Sequence, residues 1–393
     1  MKPISTESCL NTKDNTFYLE DFLLDLEKLI NIDSGRGAAE GATRVGLMLA
    51  EPLVKRGWII ERHNLSPNIG ECIVVKNRQA ERFDALLLGH VDTVFPAGES
   101  AECPFYRDEE RAYGPGVYDM KQGCLAVVHS LLAMSPQTNE ALNIAVIFNT
   151  DEEISSVYST PLIKSYAERS EYAFVFEPSM ENGGRCIERK GILRSTFQFE
   201  GKACHSALML TDDGRSAIAE MGYWIAALSE LNSKETGTSV NPGIVKGGKA
   251  ANIVADFAEL TIDVRIKTLE EQDKVLAVLD SLAEHARSVG IIVTEVDRRT
   301  RPPWMPDERT KRYAEHLRKL SLSMGIPFEI RVGWGASDGN TAANCGAITI
   351  DDLGPGGDHA HTADEYMLLA DVEPNVRFFH AVLEDLAQLK AAQ

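Results

Sequence analysis

The chain has 393 residues, 44% of them hydrophobic, which is enough to bury a large core and more length than one compact domain usually carries. Lys and Arg number 40 against 59 Asp and Glu, a formal charge of −19 that disfavours nucleic acid and anionic membrane as partners. An anionic small substrate stays open, because a few local arginines override a mean field.

In chain order, MKPISTESCLNTKDNTFYLEDF holds no apolar run of signal-peptide length, and no stretch of about 18 apolar residues follows, so a cytoplasmic location is expected. Seven cysteines, odd in number and without CxxC pairs, suggest neither a disulfide scaffold nor a cysteine zinc knot, and reduced thiols are expected. From Tyr18 to Leu49 the apolar spacing is mostly helical; ALLLG, LAVVHSLLAM, LNIAVIFN and YAFVFE then alternate short apolar runs with helical patterns. That rhythm predicts an α/β sheet with helices on both faces, whose strand ends gather polar side chains around a ligand. Around Gly191 the rhythm changes. LRSTFQFEG reads as an alternating strand, Ser216 to Leu231 as a helix, and Thr238 to Val245 and Ile253 to Ile266 as strands; a helix opened by a TLEE capping box and the strand IIVTEV complete a β-α-β-β-α-β order. After RPPW the first rhythm returns, so the small ferredoxin-like unit is inserted into a larger one. The expected boundaries are 1–192 and 304–393 for the larger domain and 193–303 for the insertion.

Polar residues sit where this scheme puts strand ends. His90 and Asp92 in GHVD are two apart, so alternation points both the same way, as suits a metal-bound imidazole and the carboxylate that orients it; taken alone, the pair reads first as an ordinary strand-end histidine. Asp119 in YGPGVYDMKQG precedes a helix, where an N-cap is the other reading. Asp151, Glu152 and Glu153 follow the LNIAVIFN strand, Glu177 follows YAFVFE, and GPGGDHAHTADEY brings His359 and His361 in a glycine-rich loop. Such mixed nitrogen and oxygen sets bind hard and borderline cations.

Taken together and in order, GHVDTVFP, GPGVYDMKQG, NTDEE, FEP, GKACHSA and HTADEY resemble the M20 family of dizinc exopeptidases and deacylases, most closely its glutamate carboxypeptidase branch. The likeness runs from LINIDSG near Asn31 to HTADEY near Tyr366. It implies a phosphorylase/hydrolase-like dizinc catalytic domain with an inserted ferredoxin-like α+β lid or dimerisation domain. It also implies two Zn²⁺ per chain, with Co²⁺ or Mn²⁺ as substitutes, and a homodimer through the lid. Carried over residue by residue, Asp119 resembles the bridging carboxylate, His90 and Glu177 the further ligands of one zinc, and Glu153 and His361 those of the other. Glu152 resembles the general base, Asp92 the partner of His90, and His205 in GKACHSA the histidine that reaches the partner subunit's site. Position 204 is Cys where the family often has Ser. His361 is preferred to His359 because the family's ligand precedes Thr or Ser, and the GPGG stretch is expected to give flexible backbone near the substrate. Asn252, Arg265 and Arg301 resemble the groups that hold a substrate's terminal carboxylate, for which a guanidinium fork is suited.

The implied activity is zinc-dependent hydrolysis of the amide bond to a C-terminal amino acid, glutamate or another acidic one, in a small peptide or N-acyl amino acid. An N-acyl amino acid deacylase and a small-peptide aminopeptidase are the alternatives among hydrolases, and a non-catalytic binding relative the alternative outside them. Nucleic acid and membrane are not expected as partners.

Overall fold

A computed structural model describes residues 17–180, 183–210, 213–333 and 335–392; Cys9 and most of the N-terminal stretch read above lie outside them. The chain divides into two compact units. One comprises the described residues up to Ile187, Pro306–Val332 and those from Ser337 onward; the other is Glu188–Met305 with Gly333–Ala336.

The first unit holds α1 (Leu19–Ile30), α2 (Ala39–Lys55), β1 (Ile59–Ser66), β2 (Gly70–Lys76), β3 (Phe83–His90), α3 (Lys121–Ala133), β4 (Ile144–Asn149), α4 (Thr160–Ala167) and β5 (Ser170–Val175). Its six-stranded sheet takes its last strand, Ile348–Ile350, from the chain's return and runs β1-β2-β4-β3-β5 and then Ile348–Ile350. The pairs from β4 to Ile348–Ile350 are parallel, while β1 and β2 are antiparallel at one edge. β3 and β4 are buried almost throughout, which is why they read as continuous apolar runs. On one face Leu86, Leu88, Ala145, Ile147 and Val175 pack with Ile163 of α4 and Ala342. On the other, Gly46 of α2 lies against Ile73 and Phe148, and Phe174 meets Phe379 edge-on with centroids 5.3 Å apart.

The second unit consists of β6 (Gly191–Glu200), α5 (Ala217–Ser229), β7 (Ser239–Gly247), β8 (Phe257–Ile266), α6 (Leu269–Ser288) and β9 (Ile292–Arg301). Its antiparallel sheet has the order β7-β8-β6-β9, the ferredoxin-like arrangement the chain order predicts. Leu193, Phe197 and Phe199 of β6 face the helices and pack with Trp224 of α5, while Arg194 points outward. Only half of the expected capping box forms. The Thr268 hydroxyl accepts from the Glu271 amide at 3.2 Å, but the Glu271 carboxylate accepts from the Thr238 hydroxyl instead of returning to the cap.

The first unit continues through Glu308–Ser323 and Asp338–Asn344 to the long helix Val372–Ala391. None of the six described cysteines is in a disulfide. Among the described residues no helix is long and apolar enough to cross a membrane.

Candidate functional site

Register places the site. His90 ends β3 opposite Asn149 of β4, so Thr150 to Glu153 emerge beside it; Leu88 pairs with Val175, and two further steps bring Glu177 level with His90. These are the carboxyl ends of neighbouring parallel strands, where α/β sheets gather ligands. Asp119 comes from the loop before α3, whose N-cap is Met120 with no side-chain cap bond, so Asp119 is not occupied as a helix cap.

Asp119 instead addresses two groups. Its Oδ1 is 3.0 Å from His90 Nε2, with Glu177 Oε1 3.8 Å from the same nitrogen; its Oδ2 is 3.2 Å from His361 Nε2, which lies 3.4 Å from Glu153 Oε2. His90, Asp119 and Glu177, and Asp119, Glu153 and His361, thus form two clusters of metal-ligand type that share one carboxylate.

The charges show what the cluster lacks. Burial raises the Glu177 carboxyl well above its ordinary value, with the charge of Asp119 adding to it, and burial raises Glu153 as well. Hydrogen bonds donated to the Asp119 and Glu153 carboxylates push His361 up to about 10. Burial opposes charge on His90, which is 1% exposed, yet Asp119, Asp92 and Glu177 hold it well above its usual range. Buried acids draw their neighbours toward the cationic form, a demand that divalent cations meet directly. Glu153 Oε1 is moreover buried without a hydrogen-bond partner. Donor set and orphaned oxygen both fit a metal pair.

Asp92 organises the surroundings. Its backbone oxygen lies 3.0 Å from His90 Nδ1, and its carboxylate accepts the amides of Glu152 at 3.1 Å and Glu153 at 2.9 Å. Glu152 starts a 3₁₀ turn, Glu152–Ile154, and its charge contributes to raising Glu177. Asp151 is buried and accepts the Tyr158 amide at 2.7 Å, a loop-building role.

His361 has φ of 67°, an uncommon conformation for a residue with a side chain and one that collects at functional sites. His359 builds the same loop: its carbonyl accepts the Thr362 hydroxyl at 2.8 Å and its ring lies edge-on to Tyr366. The GPGG stretch departs from expectation. It is strand Gly354–Asp358, and its glycines permit close packing rather than flexibility: a Cβ on Gly356 would strike the Asp371 carboxylate, and one on Gly357 the Tyr366 carbonyl.

In the second unit His205 is exposed just beyond β6, bridged to Ile253, with Asn252 beside it accepting the Ser206 amide at 2.9 Å. Arg265 and Arg301 flank Ile192 in one row near the start of β6. The two pairs lie toward opposite ends of β6, a ten-residue strand roughly 30 Å long, so within one chain Asn252 does not join the arginines. Arg265 already forks onto Asp263, at 2.7 Å and 3.3 Å, and Arg301 is 2% exposed. The Cys204 sulfur occupies the space a Cβ on Gly214 would need.

Two residues escaped sequence reasoning. The buried Lys121 ammonium donates to the carbonyls of Leu29 and Ile32 at 3.1 and 2.9 Å, and burial lowers it to about 8. Glu365, 1% exposed, accepts the amides of Tyr118 at 2.8 Å and Asp119 at 3.0 Å, and burial raises it to about 7. Its only local signal is the TADE spacing of a capping box with no helix after it.

Comparison with known proteins agrees with this geometry. Residues 86–385 match the model of peptidase family M20/M25/M40. Carboxypeptidase G2 of Pseudomonas sp. (strain RS-16) is 29% identical over 92% of this chain and 88% of its own length. Succinyl-diaminopimelate desuccinylase of Delftia acidovorans is 27% identical over 93% and 98%. A tripeptidase from Staphylococcus aureus shares the fold with a TM-score of 0.72 at 20% identity, over 94% of this chain and 99% of that one.

Proposed function

The chain belongs to peptidase family M20/M25/M40, a metal-dependent family, and on that premise we propose that it hydrolyses the amide bond joining an acyl or peptidyl group to an amino acid with a free α-carboxylate, preferentially glutamate or another acidic residue. The observation that carries this reading is Asp119, whose two oxygens each face an imidazole and a further carboxylate. Two divalent cations, zinc by the donor set, would supply Lewis acidity toward the scissile carbonyl and ease deprotonation of water. Asp119 would bridge them, with His90 and Glu177 completing one set and Glu153 and His361 the other. Asp92 orients the His90 ring through Nδ1, so that Nε2 is the nitrogen that would hold a metal. Glu152, its backbone fixed by Asp92, takes the proton of the attacking water and delivers it to the leaving amine.

Arg265 and Arg301 are proposed for the substrate's carboxylate. We place His205 and Asn252, adjacent to one another, at the site of a second chain in a homodimer formed through the inserted unit, with His205 stabilising the oxyanion. The likeness to carboxypeptidase G2 favours a peptidyl or acyl amino acid; the likeness to a desuccinylase favours a simple acyl group on the other side of the same bond.

A panel of N-acyl and peptidyl amino acids, offered to zinc-loaded protein as free acids and as C-terminal amides, tests the proposal. Free acids should be cleaved with kcat/KM at least tenfold higher, a difference of about 1.4 kcal/mol. Equal cleavage of the amides would remove the carboxylate-directed reading and leave the hydrolase.

A further inference from the structure

The Glu365 carboxylate lies inside the turn that carries Asp119. Oε1 accepts the amides of Tyr118 and Asp119 at 2.8 and 3.0 Å, and Oε2 the amide of Gly116 at 3.3 Å. Three N–H groups from four consecutive residues converge on one anion, a backbone nest made possible by Gly116, whose φ of 77° turns the chain and whose Cβ would strike Thr93. The same residue anchors the loop of His361. The Glu365 amide donates to the Thr362 carbonyl at 3.2 Å, and Thr362 in turn donates to the His359 carbonyl. One side chain therefore fastens the loop of His361 to the backbone of Asp119, two segments some 240 residues apart in sequence.

We infer that Glu365 is a positioning residue that holds Asp119 and His361 in register, so that the Asp119, Glu153 and His361 group depends on it more than the His90, Asp119 and Glu177 group does. The inference rests on the metal-site reading above. The asymmetry follows from connectivity: the first group has two of its three ligands tied to Glu365, whereas His90 and Glu177 are set by β3 and β5 and reach Glu365 only through Asp119. Glu365→Gln keeps the size of the side chain but presents one amide NH₂ to a nest of donors, so one of the two acceptor oxygens is replaced by a clashing donor.

The test is competition between zinc and a chelator on the full chain, read as two dissociation constants, with His361→Ala identifying the constant that belongs to its group. Glu365→Gln should weaken that constant by about 10–100-fold, the usual effect of removing a partner of metal ligands, and the other by less than about tenfold. Unfolding of the metal-free proteins is measured alongside. A variant that unfolds earlier but binds both zincs as wild type does, or that loses both affinities equally, overturns the inference. Should Glu365→Gln fail to fold, Glu365→Asp, which keeps the charge but falls short of the nest, is read by the same criteria. Wild type binding fewer than two zincs would contradict the metal reading itself, a result distinct from any behaviour of the variant.

Discussion

Glu152 is the residue proposed above as the general base. Glu152→Gln is nearly isosteric and cannot take a proton, so kcat should fall by about 10²–10⁴ while metal content stays at the wild-type level; steady-state kinetics with elemental analysis checks both, and near-normal turnover would move the base elsewhere. His129, which the proposed chemistry does not use, is expected to contribute to acid sensitivity. Its buried ring packs against Phe17 and Phe22, and burial lowers its imidazole to about 4 from an ordinary 6.5. Between those values the unfolded chain binds a proton that the folded chain refuses, so stability falls as pH falls through that window. His129→Phe keeps the ring packing and should flatten the decline of the urea midpoint between about pH 7 and 5; a slope equal to wild type would assign the acid sensitivity to other groups. At this scale the sequence was readable where spacing is local. His90 with Asp92, and Glu152 with Glu153, stand out because strand ends order them. Glu365 and Lys121 do not, since their partners are backbone groups 246 and 92 positions away.

Elements place these residues by close approach. α3 bears Gly123 in the MKQG stretch, where a Cβ would run into the Phe176 carbonyl next to Glu177. Gly123→Ala should therefore push α3 away from the strand end and cost about 1–3 kcal/mol by urea denaturation. If the variant instead gains the roughly 1 kcal/mol expected of alanine over glycine in a helix, the close contact is not limiting. The inserted unit was legible from alternation alone, because Leu193, Phe197 and Phe199 turn inward while Arg194 turns out. Its capping box was half wrong: Thr238, 33 positions away, claims the Glu271 carboxylate. GPGG misled for a related reason. Composition marks glycine as conformational freedom, but at Gly356 and Gly357 the missing side chain makes room for Asp371 and Tyr366, neighbours only the fold supplies.

For the whole molecule, the −19 charge coexists with a site whose buried acids seek cations, so bound metal should stabilise the chain; zinc should raise the unfolding temperature and a chelator lower it. Assembly has its own test. Inactive His205→Ala chains mixed with inactive Glu152→Gln chains should regain partial activity if His205 serves a second chain, each hybrid holding one site with both groups. Hybrids that form and stay inactive would confine His205 to its own chain or remove it from the chemistry. Everything else depends on Asp119 joining two ligand sets. The most direct measurement is the metal content of protein stripped and reconstituted with zinc, followed against activity. Two zincs per chain, with activity appearing only as the second binds, is the result expected; full activity at one zinc per chain would contradict it.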